Sequence, residues 1–215
     1  MKKTLFIIGM LMCAVSLHAQ DIKTLFVAMP DSVVPLLTKV NREDFVDFLA
    51  SNMKAEVKNR FGKPSELKKL SDDYLLLQTT ERSAMEMKLL PVNDSVKVIC
   101  VVNTVCAPVC DSEIRFYNTQ WQELAQRDFI QLPSADAFYL PVDTLTDEAF
   151  VAMREKADME LVKAALAEDK PVITFVYSTP DYLAKEEREK LAPYLKKEPM
   201  VYEWKEGKFR SGASF

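Results

Sequence analysis

Apolar residues recur along this chain with two periods, and the change from one to the other falls near Ser65. Before it, Phe45, Phe48, Leu49 and Met53 share one face of a helix, while Asp47, Lys54 and Lys58 fall elsewhere. Asn41 reads as the N-cap of that helix, with Glu43 and Asp44 in its first turn. Lys58 and Arg60 suit its C-terminal end, and Gly62 supplies the stop. Upstream, Pro30-Asp31-Ser32 introduces one or two helical turns over 33–38. After Ser65 the period becomes two. Residues 74–80 read as a strand, and Met85, Met87 and Leu89 alternate with Glu86 and Lys88 as a strand with one wet face. A turn at 91–95 leads into the longest strand. Val96, Val98, Cys100, Val102, Thr104 and Cys106 lie on one face of it, with Ile99, Val101 and Val105 on the other. A run apolar on both sides predicts a central strand covered on both faces. Pro108 breaks it, and Ile114 and Phe116 resume the pattern.

Residues 131–146, with Pro133 and Pro141, read as a connecting segment. Thr146 then caps a helix carrying Asp147, Glu148, Ala149, Phe150 and Met153. Residues 159–166 fit either helix or strand, 168–170 a turn, and 172–177 a strand rich in β-branched and aromatic residues. Thr179-Pro180 starts a helix that runs through Glu186 and breaks before Pro193. Residues 200–204, Gly207 and Phe209 close the chain as a hairpin. Short turns between consecutive strands require antiparallel pairing, because parallel strands need long crossovers. The predicted fold is α+β: an antiparallel meander with helices packed on one face, in two α-β halves of similar order. The expected division is 1–20 as a signal peptide, 21–130 as helices plus meander, 131–146 as the connection, and 147–215 as a smaller half sharing the core.

The signal-peptide reading rests on Lys2-Lys3, an apolar run over 5–17, and His18-Ala19-Gln20. The run is too short for an ordinary membrane span, and no second one follows. Cys13 is preceded by Met10, Leu11 and Met12, which fits a lipid-attachment site poorly. Cleavage would remove His18, the only histidine, and with it imidazole catalysis or ligation. Loss of Lys2 and Lys3 takes the formal charge from −4 to −6, which argues against nucleic acid as a partner. Of four glycines, Gly62, Gly207 and Gly212 remain, too few and too scattered for a phosphate-binding loop. Calcium loops and histidine–cysteine zinc sites are likewise missing, so no metal or cofactor is expected.

Three cysteines lie beyond the leader. Cys100 and Cys106 are six residues apart on one strand, about 20 Å when extended, and too far to bridge. Cys110 lies past the Pro108 corner and can fold back, so a Cys106–Cys110 disulfide is expected, with Cys100 a buried thiol. A structural staple suits this strand end better than a redox pair, which favours two-residue spacing at a helix start. Carboxylates are the plentiful acid–base groups: Asp72-Asp73, the Glu43, Asp44 and Asp47 cluster, and Glu186-Glu187. Cap positions and solvated helix faces explain all of them. Ser65 and Lys68 have the spacing of a serine–lysine motif without its companions. Trp121, Trp204, Tyr202 and Tyr139 read as sheet aromatics more than as a binding patch. No catalytic residue is therefore assigned.

Several segments together resemble a family of secreted proteins of unknown function from Bacteroides-type bacteria. They are Leu36-Leu-Thr-Lys-Val-Asn-Arg, Ser51-Asn-Met-Lys-Ala, Asp73-Tyr-Leu-Leu-Leu-Gln, Met87-Lys-Leu-Leu-Pro, Val98-Ile-Cys-Val-Val-Asn-Thr-Val-Cys, Tyr182-Leu-Ala-Lys-Glu and Val201-Tyr-Glu-Trp. The resemblance spans nearly the whole mature chain and implies an exported protein without an assigned activity. In such bacteria, exported proteins carry O-linked sugars at Asp-Ser or Asp-Thr before an apolar residue. Ser32, Ser95 and Thr144 fit that pattern, although such pairs are also ordinary turn and cap residues. The resulting expectation is a periplasmic or secreted, non-enzymatic binding or accessory protein whose partner is a protein or cell-envelope component. The alternatives are a carboxylate-dependent glycan hydrolase and a proteinaceous inhibitor of a secreted enzyme.

Overall fold

A computed structural model describes residues 21–142 and 147–212, so residues 1–20, expected to be a signal peptide, and Thr144 lie outside the described residues. The first helix, α1 (Ile22–Ala28), had no counterpart in the sequence reading. Asp21 caps it by accepting from the Thr24 N–H, and hydrogen bonding to the Thr24 side chain, with that N–H, holds the Asp21 carboxyl below its ordinary pKa. Helix α2 (Lys39–Ala50) begins earlier than the pattern suggested. Its N-cap is Thr38, and Asn41 sits three residues inside. The Thr38 hydroxyl accepts from the Asn41 N–H while the Asn41 side chain accepts from the Thr38 N–H, so two orphan donors are satisfied reciprocally. The helix ends at Ser51 rather than Gly62. The intervening residues form strand β1 (Glu56–Lys58), and Gly62, at φ +71°, turns β1 into β2 (Pro64–Leu70). Residues 33–38 form turns instead of a helix. That loop is held by Arg42, almost fully buried, which donates to Asp31 and to the Leu37 and Met29 carbonyls.

The meander continues through β3 (Tyr74–Thr80), β4 (Ser83–Pro91), β5 (Lys97–Cys106), β6 (Cys110–Asn118) and the short β7 (Glu123–Leu124). Each strand pairs antiparallel with its sequence neighbour in one seven-stranded sheet. Residue parity divides the two faces. Leu75, Leu77, Met85, Met87, Ile99 and Val101 meet Ile22, Phe26 and Phe45 of the two helices. On the opposite face, Val98, Cys100, Val102, Ile114 and Phe116 meet a second antiparallel sheet.

That sheet has four strands in the order β11-β10-β9-β8: β8 (Val162–Leu166), β9 (Val172–Tyr177), β10 (Met200–Lys205) and β11 (Lys208–Ser211). The stretch 159–166, ambiguous by pattern, thus supplies a strand. Its Ala164 and Leu166, with Ile173, Phe175, Trp204 and Phe209, fill the space between the sheets. The architecture is α+β, but the halves are unlike: helices cover one face of a seven-stranded sheet, and a four-stranded sheet covers the other. Helix α3 (Glu148–Lys156) is capped by Asp147, whose carboxylate accepts from the Phe150 N–H; Thr146, the cap expected from the sequence, lies outside the described residues. The single helix expected after Thr179 is two, α4 (Thr179–Tyr182) and α5 (Lys185–Leu191), with Leu183 extended between them. Phe150 of α3 and Leu191 of α5 share a small core with Tyr139 and Ala157.

The capping box yields a direct test. Thr38→Ala is expected to lower the unfolding free energy by about 1 kcal/mol, read from urea denaturation. Asn41→Ala should add less on that background than alone, because the two side chains act as one unit.

Candidate functional site

Strand β8 crosses the larger sheet with one edge unpaired by any strand, and that edge is satisfied by side chains beneath it. The Val162 N–H donates to Asp111 at 3.0 Å, the Ala164 N–H to the Ser112 hydroxyl at 3.0 Å, and the Leu166 N–H to Glu86 at 3.3 Å. Just beyond the strand, the Glu168 carbonyl accepts from the Lys88 ammonium at 2.7 Å, and the Glu168 carboxylate pairs with Lys69. Glu86 and Lys88, expected on a wet face, therefore lie between two sheets. Lys88 is 2 % exposed, paired with Asp73 at 3.1 Å and lying over the Tyr74 ring. The alternation of β4 was real, but its polar side meets another layer of protein rather than solvent.

Glu86 is the chemically distinctive group here. One carboxylate oxygen accepts from the Tyr74 hydroxyl at 2.7 Å and the other from Leu166. Burial raises its pKa against the lowering effect of both bonds and of nearby Lys163. The same burial raises the Tyr74 hydroxyl and the fully enclosed Cys100 thiol, leaving Cys100 protonated and unreactive.

Beside β8 the smaller sheet leaves part of the larger one uncovered, opening a cleft of about 600 Å³. Leu76, Gln78, Ala84 and Thr104 belong to the larger-sheet side, and Lys163, Ala164 and Ala165 to the β8 side. Glu81 and Arg82 of the β3–β4 turn line it too, with Cys106 and Pro108 of the β5–β6 corner. The same Glu81 and Arg82 line a second hollow of about 290 Å³ with Phe61, Lys63 and Pro64. The tips of three alternate hairpins, β1–β2, β3–β4 and β5–β6, thus meet at one end of the sheet. The corner tip is closed by a bond between Cys106 and Cys110, whose Cα atoms are 3.9 Å apart.

Other residues singled out by sequence do not converge. Asp73 pairs with Lys88, Glu187 with Lys156, and neither Asp72 nor Asp73 lines the cleft. Ser65 is buried and donates to the Thr79 carbonyl, while Lys68 pairs at the surface with Glu66. Trp204 and Tyr202 belong to the intersheet core, Tyr139 to the smaller one, and the Trp121 indole N–H donates to the Leu25 carbonyl. Ser32 and Ser95 are both exposed outside regular structure. Among the described residues no cluster suits a metal ion, and no helix is long and apolar enough to cross a membrane. Sequence reasoning missed Glu86, Arg82 and Phe61. Glu86 is polar within an alternating strand, and the other two occupy turns where polar or lone apolar residues are ordinary.

Residues 14–209 match the model of a family described as a protein of unknown function, DUF3256. The chain belongs to this family. Among solved structures, a domain of an uncharacterized protein from Porphyromonas gingivalis W83 superposes on this DUF3256 chain with a TM-score of 0.81 at 30 % identity. The match covers 90 % of this chain and 100 % of that one. No curated protein matches.

Two outcomes are expected from this geometry. Glu86→Gln places an amide where two donors converge and should cost about 1–3 kcal/mol at neutral pH. With a raised folded-state pKa, the native protein holds the Glu86 proton more tightly than the unfolded chain does. Its contribution is therefore full below the ordinary carboxylate value and lost as pH rises through the raised one. Wild type should gain stability relative to Glu86→Gln as pH falls from neutral into the carboxylate range, read by urea denaturation at both ends. Separately, denatured, non-reduced protein comprising residues 21–215 should show one free thiol and, after reduction, three. Loss of the Cys106–Cys110 bond should cost about 1–3 kcal/mol.

Proposed function

We propose that this DUF3256 protein is an exported, non-enzymatic binding or accessory protein of the cell envelope, recognising a protein or envelope component at the hairpin-tip end of its larger sheet. Export is supported by the basic, apolar and small-residue order of residues 1–20. The carrying observation for binding is Glu86. It is the cleft carboxylate with a raised pKa, and both its oxygens are committed to Tyr74 and Leu166, so it braces the two sheets. Around it lie apolar floor residues and charged rim residues, the composition of a recognition surface. Ser32 and Ser95 are candidate O-glycosylation sites in this reading, both exposed, and Thr144 joins them by sequence alone.

A second reading has one specific observation in its favour. Glu81 and Glu86 line the same cleft, one exposed and one half-buried with a raised pKa, as acid–base pairs in glycan hydrolases are. Incubation with envelope and dietary glycans separates the two. The binding reading expects no turnover, together with stoichiometric capture of an envelope component by immobilised protein. Turnover abolished by Glu81→Gln and Glu86→Gln would establish the hydrolase instead. Tight one-to-one inhibition of a secreted enzyme would narrow the binding reading to an inhibitor.

A further inference from the structure

The hairpin-tip end differs from the rest of the surface in what its polar groups have left to offer. The Asn59 side chain accepts from the Phe61 and Lys63 N–H groups and donates to the Ser65 hydroxyl and the Thr79 carbonyl. The Gln78 amide nitrogen donates to the Thr80 and Ser83 carbonyls. The Thr80 and Ser83 hydroxyls bond each other at 2.6 Å, and Thr104 bonds Ser112 at 2.7 Å. Of these groups Asn59, Gln78, Thr80, Ser83 and Thr104 line the two hollows, and each is already bonded within the turns or between strands. The Cys106 N–H donates to the Arg82 carbonyl, tying the second tip to the third.

What remains free is of another kind. Phe61 is 77 % exposed, held out by the Asn59-bonded turn. Lys63, Arg82 and Lys163 have no carboxylate within ion-pair distance among the described residues; of the two acids lining the hollows, Glu81 is exposed and Glu86 is committed to Tyr74 and Leu166. The linings of the two hollows carry Lys63, Arg82 and Lys163 against Glu81 and Glu86, and in the smaller hollow Lys63 and Arg82 face Glu81 alone. This end of a net-acidic protein therefore has a local excess of positive charge, with a rigidly presented aromatic ring at its edge. Aromatic and arginine anchors on a preorganised surface are the usual centres of binding energy between proteins. A neutral sugar would need amide and hydroxyl partners, and the Asn59 amide, the Gln78 NH2 and the Thr80 and Ser83 hydroxyls already have partners inside the protein.

We infer that this end binds an extended acidic segment of another protein, with carboxylates at Arg82 and the flanking lysines and an apolar side chain against Phe61. This rests on the binding reading above and names the kind of partner. The probe is a random-peptide phage library panned on the full mature chain, with selected peptides then titrated in solution. The expected result is enrichment of Asp or Glu beside an apolar residue. Phe61→Ala and Arg82→Glu should each weaken binding about ten-fold or more. Val201→Ser, on the outer face of the smaller sheet, should leave affinity unchanged, and exchanging the peptide acid for lysine should restore binding to Arg82→Glu. No enrichment, or equal binding by wild type and both variants, overturns the inference. So does retention on an array of neutral glycans that depends on Phe61. Peptides bound elsewhere would remove this surface and leave the binding reading standing, whereas glycan turnover lost in Glu81→Gln and Glu86→Gln would remove that reading itself.

Discussion

The arrangement of the two sheets depends on one requirement: backbone groups removed from water must find partners. Strand β8 ends its sheet, and without another strand alongside, its outward N–H groups would be orphaned over the larger sheet. Asp111, Ser112 and Glu86 supply acceptors at three alternate residues of β8, in the repeat that strand geometry imposes. Apolar contacts between Val102, Ile114, Ala164 and Phe175 supply non-directional attraction. The side-chain bonds fix where along the larger sheet β8 comes to rest. A slip of one residue would set residues whose N–H groups face β9 opposite Asp111, Ser112 and Glu86 and leave those acceptors without their donors.

That fixed position also creates the cleft. With β8 lying over Ser112 and Glu86, the part of the larger sheet bearing Gln78, Ala84 and Thr104 has no strand above it. The small side chain of Ala84 leaves space there. The three turns at that end of the meander are each stiffened locally, by Asn59, by the Thr79, Thr80 and Ser83 hydroxyls, and by the Cys106–Cys110 link. Exposed residues on such turns lose little freedom when they meet a ligand.

The class of fold was legible because it is written in side-chain parity. Ile99 and Val101 against Val98, Cys100 and Val102 announced a doubly covered strand, and short turns fixed the antiparallel order. What covers each face was not legible. Glu86 and Lys88 read as solvated, since nothing local distinguishes a lysine facing water from one facing Asp73 and the Glu168 carbonyl, 80 residues on. Helix ends erred for a related reason. Thr38 and Asn41 are both good caps, and the reciprocal bond that chooses between them exists only in the folded turn. The cleft was invisible because its residues come from distant strands and each is unremarkable in its own segment.

The outer boundaries of both sheets bear on how this chain behaves in company. The larger sheet ends in strands of three and two residues, β1 and β7, too short to template another chain. The smaller one has its β8 side occupied by side chains, while on the other side the β11 residue Phe209 donates to the Phe129 carbonyl. Among the described residues, lateral growth by strand addition finds no long, flat row of open backbone groups on these four borders. A sheet-rich protein accumulating at high local concentration is thereby protected from polymerising through its own strands.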